Sequence, residues 1–259
     1  MRRASTCLAV IGLAVFALAG VASAAPTVTF KAKAVPIPGF PHTGNIYGAG
    51  TAVQGEFAIS GTEYGGYPPP LIGINVMFPK GAKVITKGFK TCSRATIEQK
   101  RGKGCPKGSA AGPVGHGLGI VSLGNTRVPE EATIESFFAP GGGLLFYTEG
   151  NSPVQLEFIS SGKLTNLNGG GGFGPKLITE VPLVETLPGA PDASEEQINV
   201  KVGAAYKKNG KTVYYATMPK KGQCPKGGFP VQAELMFGGV GGLAPQTVTV
   251  PYKAPCPRK

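Results

Sequence analysis

Residue types on which many active sites depend are scarce in this sequence. Its 259 residues include no tryptophan, a single aspartate (Asp192) and two histidines, His42 and His116. A His-rich zinc site or an Asp-rich calcium loop cannot be built from this set. A Ser-His-Asp triad would lack the Gly-x-Ser-x-Gly turn that presents its serine. We therefore expect no metal site, and we interpret both histidines as structural residues.

Glycine is abundant, with 41 residues, but no glycine motif is complete. The run GHGLG at 115–119 is followed by Ile120, where a dinucleotide-binding motif needs its third glycine. The run ending in Gly210-Lys211-Thr212 has Ala205 where a phosphate-binding loop needs its first glycine. Both runs are better interpreted as turns and strands. We therefore expect no cofactor.

Glutamate leaves one enzymatic alternative open, a Glu-dependent glycoside hydrolase, which needs two facing carboxylates. Glu130-Glu131 and Glu195-Glu196 are adjacent pairs, and neighbours on a strand point to opposite faces. Neither pair alone has the arrangement of a catalytic pair, so we favour a protein without enzymatic activity. Tyrosines would have to replace tryptophan as sugar platforms, although they are more simply interpreted as strand or turn aromatics: Tyr64, Tyr67, Tyr214 and Tyr215.

The N-terminal residues have the pattern of a secretory signal peptide. Arg2 and Arg3 precede an apolar run at 7–20, and Ala22-Ser23-Ala24 supplies the small-x-small pattern before a cleavage site. We expect residues 1–24 to be removed and residues 25–259 to be secreted. The apolar run is short for a membrane-spanning helix, which needs about 20 residues.

Four cysteines follow the predicted cleavage site, and an even number in an exported chain indicates disulfides. Three pairings are possible, and we favour Cys92–Cys105 and Cys224–Cys256 because each closes a short local loop. Zinc is the competing interpretation. It is disfavoured because these spacings are much longer than the Cys-x-x-Cys of zinc sites.

Short stretches of alternating polarity, separated by Gly and Pro clusters, predict an all-β fold. We expect an antiparallel β-sandwich, immunoglobulin-like or jelly-roll-like, formed by residues 25–259 as one domain. Two domains divided near residue 128 are the alternative. Asn209-Gly210 is the strongest hairpin motif, and Gly124-Asn125 is a weaker one. A single short helix is predicted near 93–100, with Ser93 as its N-cap.

Two longer stretches resemble a known group of proteins. LIGINVMFPKGAKVITKGFKTCSRATIEQ with GCPKGSAAGPVGHG, and the C-terminal CPKGGFPVQAELMF to TVTVPYKAPCPRK, are similar to uncharacterised secreted β-rich proteins of high-GC actinobacteria. The resemblance implies export, β-structure and paired cysteines. That group has no assigned activity, so the resemblance implies no functional residue.

Charge is distributed in blocks along the chain. Residues 80–107 contain nine basic residues and one acidic residue, and 197–259 contain ten and one. Residues 130–196 carry ten acids and two lysines. The electrostatic field of such charge blocks can steer polyanions toward the protein. Basic faces can also serve only to keep a protein soluble. We expect the segments 80–107 and 201–226 to lie near each other and form one basic face that includes Lys100, Arg101, Lys103, Lys107, Lys207, Lys208, Lys220 and Lys221.

Three functional classes follow from these features. We favour a secreted, non-catalytic extracellular or cell-surface protein. A module that binds anionic cell-wall polymer or polysaccharide through the basic face is the first alternative, and the Glu-dependent glycoside hydrolase is the second. Nucleic acid is an unsuitable partner for a secreted chain. We expect no membrane-spanning segment in residues 25–259.

Overall fold

The computed structural model describes residues 25–40, 48–168, 170–220, 224–242 and 244–256. The predicted signal peptide, His42 and Lys221 lie outside these residues. Fifteen strands are found within them: β1 Thr27–Val35, β2 Gly50–Ser60, β3 Leu71–Pro79, β4 Lys83–Val84, β5 Gly115–Leu123, β6 Thr126–Phe138, β7 Leu144–Gly150, β8 Leu156–Asn166, β9 Phe173–Glu180, β10 Ser194–Val202, β11 Ala205–Lys208, β12 Lys211–Tyr214, β13 Ala216–Thr217, β14 Phe229–Phe237 and β15 Gln246–Ala254.

Thirteen of these strands form one antiparallel sheet, which confirms the all-β prediction. Its order is β15-β14-β3-β9-β8-β7-β6-β5-β10-β2-β13-β4, and β1 also pairs with β2. The sheet curls so far that β1 and β15 contact each other, with the Phe30 and Tyr252 rings 5.9 Å apart. Two halves of one sheet therefore face each other across a common interior, as in a sandwich. Residue 128 lies within β6.

The locally encoded elements form where the sequence predicts them. The helix α1 spans Arg94–Lys100, and the Ser93 hydroxyl accepts a hydrogen bond from the Thr96 backbone N–H. Strands β11 and β12 form a hairpin in which Asn209 and Gly210 have φ values of 50° and 73°. These positive values are readily adopted by asparagine and glycine. Gly124, with φ of 61°, begins the turn between β5 and β6.

Both predicted disulfides are present. Cys92 is bonded to Cys105 and Cys224 to Cys256, with Cα–Cα distances of 5.3 and 6.3 Å. The first disulfide joins the two ends of the segment that contains α1. Ile97 of α1 is 1% exposed and packs with Cys92 and strand residues against the outer surface of the sheet. In the part of the chain that the structure describes, no helix is long and apolar enough to cross a membrane.

The interior is filled unevenly. Alternating residues of β14 pack tightly, since Val231, Ala233, Leu235 and Phe237 are each at most 4% exposed. These residues form the main apolar cluster with residues of β1, β2 and β15. Burying a large apolar side chain contributes about 1.5–3 kcal/mol, so this side of the sheet is the stable part of the core. The opposite side, around β5, is less well filled.

Candidate functional site

Strand β5 presents glycines to the interior. Gly115, Gly117 and Gly119 pair with Ile134, Ala132 and Glu130 of β6, whose side chains line the interior. A Cβ at Gly119 would come within 2.9 Å of the Ser194 carbonyl, so the backbone approach at that position requires glycine. At these alternate positions the interior face of β5 therefore carries no side chains.

A cavity of about 140 Å³, which we call the upper cavity, lies over Gly117 and Gly119. Its wall is mostly apolar and is formed by β2, β3 and β5–β10. An engineered apolar cavity of about 150 Å³ stays dry and binds benzene, so this volume is sufficient for an apolar group. The glycine alternation in β5 is thus the direct cause of a space that can hold a ligand.

A second cavity, the lower cavity, continues the first toward β4 and β13. It has a volume of about 130 Å³. Both cavities share a belt of wall residues consisting of Phe57, Val76, Phe146, Leu177 and Val200. Because the same side chains line both spaces, the two cavities are neighbours along one apolar interior.

The wall residues themselves are incompletely packed. Val76, Phe146, Leu177 and Val200 of the belt are only half-buried, and so is Ile74 of the upper cavity. Interior apolar side chains normally touch neighbours on all sides and exclude voids. These side chains instead keep apolar surface free within the protein. The interior therefore contains apolar surface that no other side chain of the described residues covers.

Two carboxylates lie in the wall of the upper cavity. Register aligns Glu195 of β10 with Gly119, and Gly119 with Glu130 of β6. The two glutamates are therefore two strand spacings apart, about 10 Å between backbones. Adjacent glutamates such as Glu130-Glu131 and Glu195-Glu196 point to opposite faces of a strand, and one member of each pair lines this cavity.

A bulge determines which glutamate of β10 faces inward. The pairing with β5 shifts between Glu195 and Gln197. Ile198 lines the cavity, so strict alternation would place Glu196 inside and Glu195 outside. The extra residue at the bulge reverses this order. Burial raises the pKa of Glu195 to about 7, although the Leu71 N–H donates to its Oε2 at 3.0 Å and opposes the shift.

Both carboxylates already bind backbone donors. Glu130 is 2% exposed and accepts hydrogen bonds from the N–H groups of Ser152 and Val154, each at 3.0 Å. Together with the Leu71 bond to Glu195, these contacts tie loops to the upper end of the sheet. The apolar wall around them is unlike a cleft for a polyhydroxylated sugar, so the pair lends no support to the hydrolase alternative.

Arg127 holds the upper end of the sheet together. Its guanidinium donates to the backbone oxygens of Tyr64 and Asp192 and to the Ser194 hydroxyl, at 2.9, 3.2 and 2.8 Å. It also lies 5.0 and 4.8 Å from the ring centres of Tyr64 and Tyr67, a cation–π geometry. These two tyrosines, considered above as sugar platforms, thus stack on an arginine. Because Ser194 directly precedes Glu195 in the chain, the hydrogen bond from Arg127 to Ser194 fixes the strand next to that glutamate.

The lower cavity contains an unsatisfied hydroxyl group. Tyr215 lines this cavity and is 4% exposed, yet its hydroxyl oxygen is buried without a hydrogen-bond partner. Its ring packs against Phe138 and Phe89, with centres 4.8 and 5.9 Å away. Burial raises the pKa of Tyr215, so the group stays a neutral phenol. Lys83, on the same wall, is the only charged residue that the described part of the chain contributes there, and it is exposed to solvent.

His116 lies away from the interior. It is exposed on the outer face of β5, in a polar groove that also includes Lys31, Glu56, Glu131 and Asn199. Within the described residues no group of three or more metal-ligating side chains is found.

The predicted basic residues fall into two environments. Lys100, Arg101 and Lys103 lie on α1 and the turn that follows it, and the last two have carboxylate neighbours. Arg101 forms ion pairs with Glu149, at 3.2 Å, and with Glu157. Lys103 lies near Glu135 and lowers its pKa, although burial raises that pKa more strongly. The charge of this part of the predicted face is therefore partly compensated.

Of the remaining predicted residues that the structure describes, Lys207 and Lys208 lie on β11, and Lys107 and Lys220 lie outside the strands. Tyr206 of the hairpin donates to the Lys87 carbonyl at 3.4 Å and packs edge-on against Phe89. Strand β13 pairs with β4. The 80–107 and 201–226 segments therefore contact each other at these points. Lys207, Lys208, Lys107 and Lys220 are exposed. That all of these residues form one continuous face stays a prediction.

Comparisons with known proteins give no match: no family model, no curated protein and no solved structure resembles this chain. The interior and the surface of the protein are therefore the available indications of its function. Sequence reasoning missed the interior because it treated the glycines of β5 as turn or strand residues. Their spacing of two was the available indication, since it removes the side chains from one face of a strand.

Proposed function

We propose that this chain is a secreted, non-catalytic binding protein that holds an apolar ligand inside its curled sheet. The observation that carries this proposal is the free apolar surface of the belt between two neighbouring cavities. Ligand pockets are typically apolar, with few polar groups. Each CH₂ group that leaves water for such a site contributes about 0.8 kcal/mol. An alkyl chain fits both the wall chemistry and the end-to-end arrangement of the cavities.

An extracellular location is consistent with this proposed function, although it gives no information on the binding site. The N-terminal pattern, the two disulfides and the resemblance to secreted actinobacterial proteins all favour an extracellular location. A protein that carries an apolar compound through water needs a closed apolar interior and a polar exterior. The polar outer groove and the exposed lysines provide such an exterior.

Titration with the neutral dye phenylnaphthylamine, which fluoresces in apolar surroundings, tests the proposal. We expect saturable binding of the dye and its displacement by dodecanol. The leucine side chain of the variant Gly117→Leu would occupy part of the upper cavity and compete with the dye for that space. Forcing both into one volume costs about 1–3 kcal/mol, so the variant should bind the dye roughly tenfold more weakly. A Cβ at Gly117 meets nothing closer than 3.4 Å, so the backbone there accepts a side chain.

The matched control is His116→Leu, which adds a leucine to the exposed face of the same strand. This variant should bind the dye like the unmodified protein. Cooperative urea unfolding of each variant shows that it is folded. Absence of saturable dye binding by the unmodified protein would refute the proposal, as would equal binding by a folded Gly117→Leu variant.

Binding of an anionic cell-wall polymer or polysaccharide is a second candidate, favoured by the β11–β12 hairpin. Lys208 and Lys211 are directly paired across the hairpin, and like charges in this position repel. Neither they nor Lys207 take part in the ion pairs found among the described residues. A polyanion would relieve this repulsion and would link the secreted protein to the cell wall.

A further inference from the structure

The two ends of the apolar interior differ in charge. Among the residues that the structure describes, the wall of the upper cavity contains Glu130 and Glu195 and no basic residue, whereas Lys83 is the only charged residue of the lower cavity. A ligand with a charged head group would therefore bind in one direction. The carboxylates at the upper end already accept backbone hydrogen bonds. The lower end has groups that are still available.

Two residues that line the lower cavity carry potential donors: Tyr215, which is buried, and Lys83, which is exposed to solvent. The Tyr215 hydroxyl is buried and has no partner, and an unsatisfied buried hydroxyl costs about 1–3 kcal/mol. Lys83 takes part in none of the ion pairs found among the described residues. An ammonium group and a neutral phenol together match the two acceptor oxygens of a carboxylate.

Resting on the proposed function, we propose that the ligand is an alkyl carboxylate whose head group binds Lys83 and Tyr215 in the lower cavity. Its chain passes the belt and ends over the glycines of β5 in the upper cavity. The belt residues line both cavities, so one chain can contact both. The carboxylate would supply the partner that the Tyr215 hydroxyl lacks.

Competition between three ligands of equal chain length tests this orientation. Dodecanoate, dodecanol and dodecylammonium should displace bound phenylnaphthylamine in that order of potency at about pH 8, where the carboxylate is ionised. The variants Tyr215→Phe and Lys83→Gln should each weaken dodecanoate roughly tenfold, as expected for a lost hydrogen bond to a charged group. Dodecanol and the dye should bind both variants as they bind the unmodified protein.

The variant Tyr215→Phe separates a binding role from a structural one. It retains the ring that packs on Phe138 and removes a hydroxyl that has no partner, so the midpoint of urea unfolding should stay the same or rise. Lys87→Gln, an exposed lysine close in sequence to Lys83, is the charge control and should leave dodecanoate affinity unchanged.

The possible outcomes separate this inference from the proposed function. If the dye binds but dodecanol competes as well as dodecanoate, or if both variants bind dodecanoate normally, the head-group site is refuted and the apolar interior is retained. Preference for dodecylammonium would place the head group at the carboxylates and would also refute it. If the unmodified protein binds no dye, both proposals fail.

Discussion

Glu195 shows how one residue can be placed in an unfavourable environment by a local irregularity in a strand. The bulge in β10 turns it toward an apolar cavity, where the charged form is poorly solvated. The Leu71 N–H compensates only in part, and the pKa is raised to about 7. Glu130, facing the same cavity, accepts two backbone hydrogen bonds.

The raised pKa of Glu195 predicts a dependence of stability on pH. The folded protein holds this proton more tightly than the unfolded chain, so the free energy of unfolding should fall as the pH rises from about 4.5 to about 7. The contribution is on the order of 3 kcal/mol at most, by the conversion of pKa differences to free energy. In Glu195→Gln this decline should be smaller but still present, because burial also raises the pKa values of Glu135 and Asp192.

Urea unfolding at about pH 5 and about pH 8 measures this effect. The variant should gain stability relative to the unmodified protein at the higher pH. Glu131→Gln, on the exposed outer face, is the control and should keep the decline of the unmodified protein. If the free energies of unfolding of Glu195→Gln and the unmodified protein differ by the same amount at both pH values, Glu195 does not titrate as described.

At the scale of elements, local sequence signals were sufficient for some features and not for others. Asn209-Gly210 and Ser93 specify a turn and a helix start through their own backbone preferences, and both form as predicted. The bulge at Glu195 depends on how β10 pairs with a strand more than 70 residues earlier. No pattern within β10 itself indicates it, so the inward-facing glutamate could not be chosen from the sequence.

The β11–β12 hairpin allows a direct test of polyanion binding. Replacing Lys207, Lys208 and Lys211 together by Gln should lower the salt concentration that elutes the protein from immobilised alginate, an acidic polysaccharide. The clustered charges act together within a screening length of about 8 Å at physiological salt. The control replaces Lys31, Lys163 and Lys253, exposed lysines of β1, β8 and β15. It removes the same net charge and should have a smaller effect.

Equal shifts for the two triple variants would indicate a response to net charge and no site at the hairpin. Absence of retention of the unmodified protein at low salt would remove polyanion binding as a function. Either result would leave the proposal of an apolar ligand in the interior unchanged, because none of these six lysines lines the upper or lower cavity.

At the scale of the whole molecule, the predicted fold class was correct because alternation and turn residues recur throughout the chain. The interior was not predicted, since it depends on which strands become neighbours. The glycines of β5 produce a cavity only because the sheet curls and brings β3, β8 and β9 into the same wall. Lys83 and Tyr215 are far apart in sequence and are brought to one cavity by the β4–β13 pairing.

The central claim is that an apolar ligand binds within the curled sheet. The most direct measurement is a crystal structure of the protein with ω-bromododecanol, in which anomalous scattering locates the bromine atom. We predict a bromine peak inside the sheet, in contact with residues of the upper or lower cavity. Bromine found only on the outer surface of a protein crystallised with saturating ligand would contradict the claim.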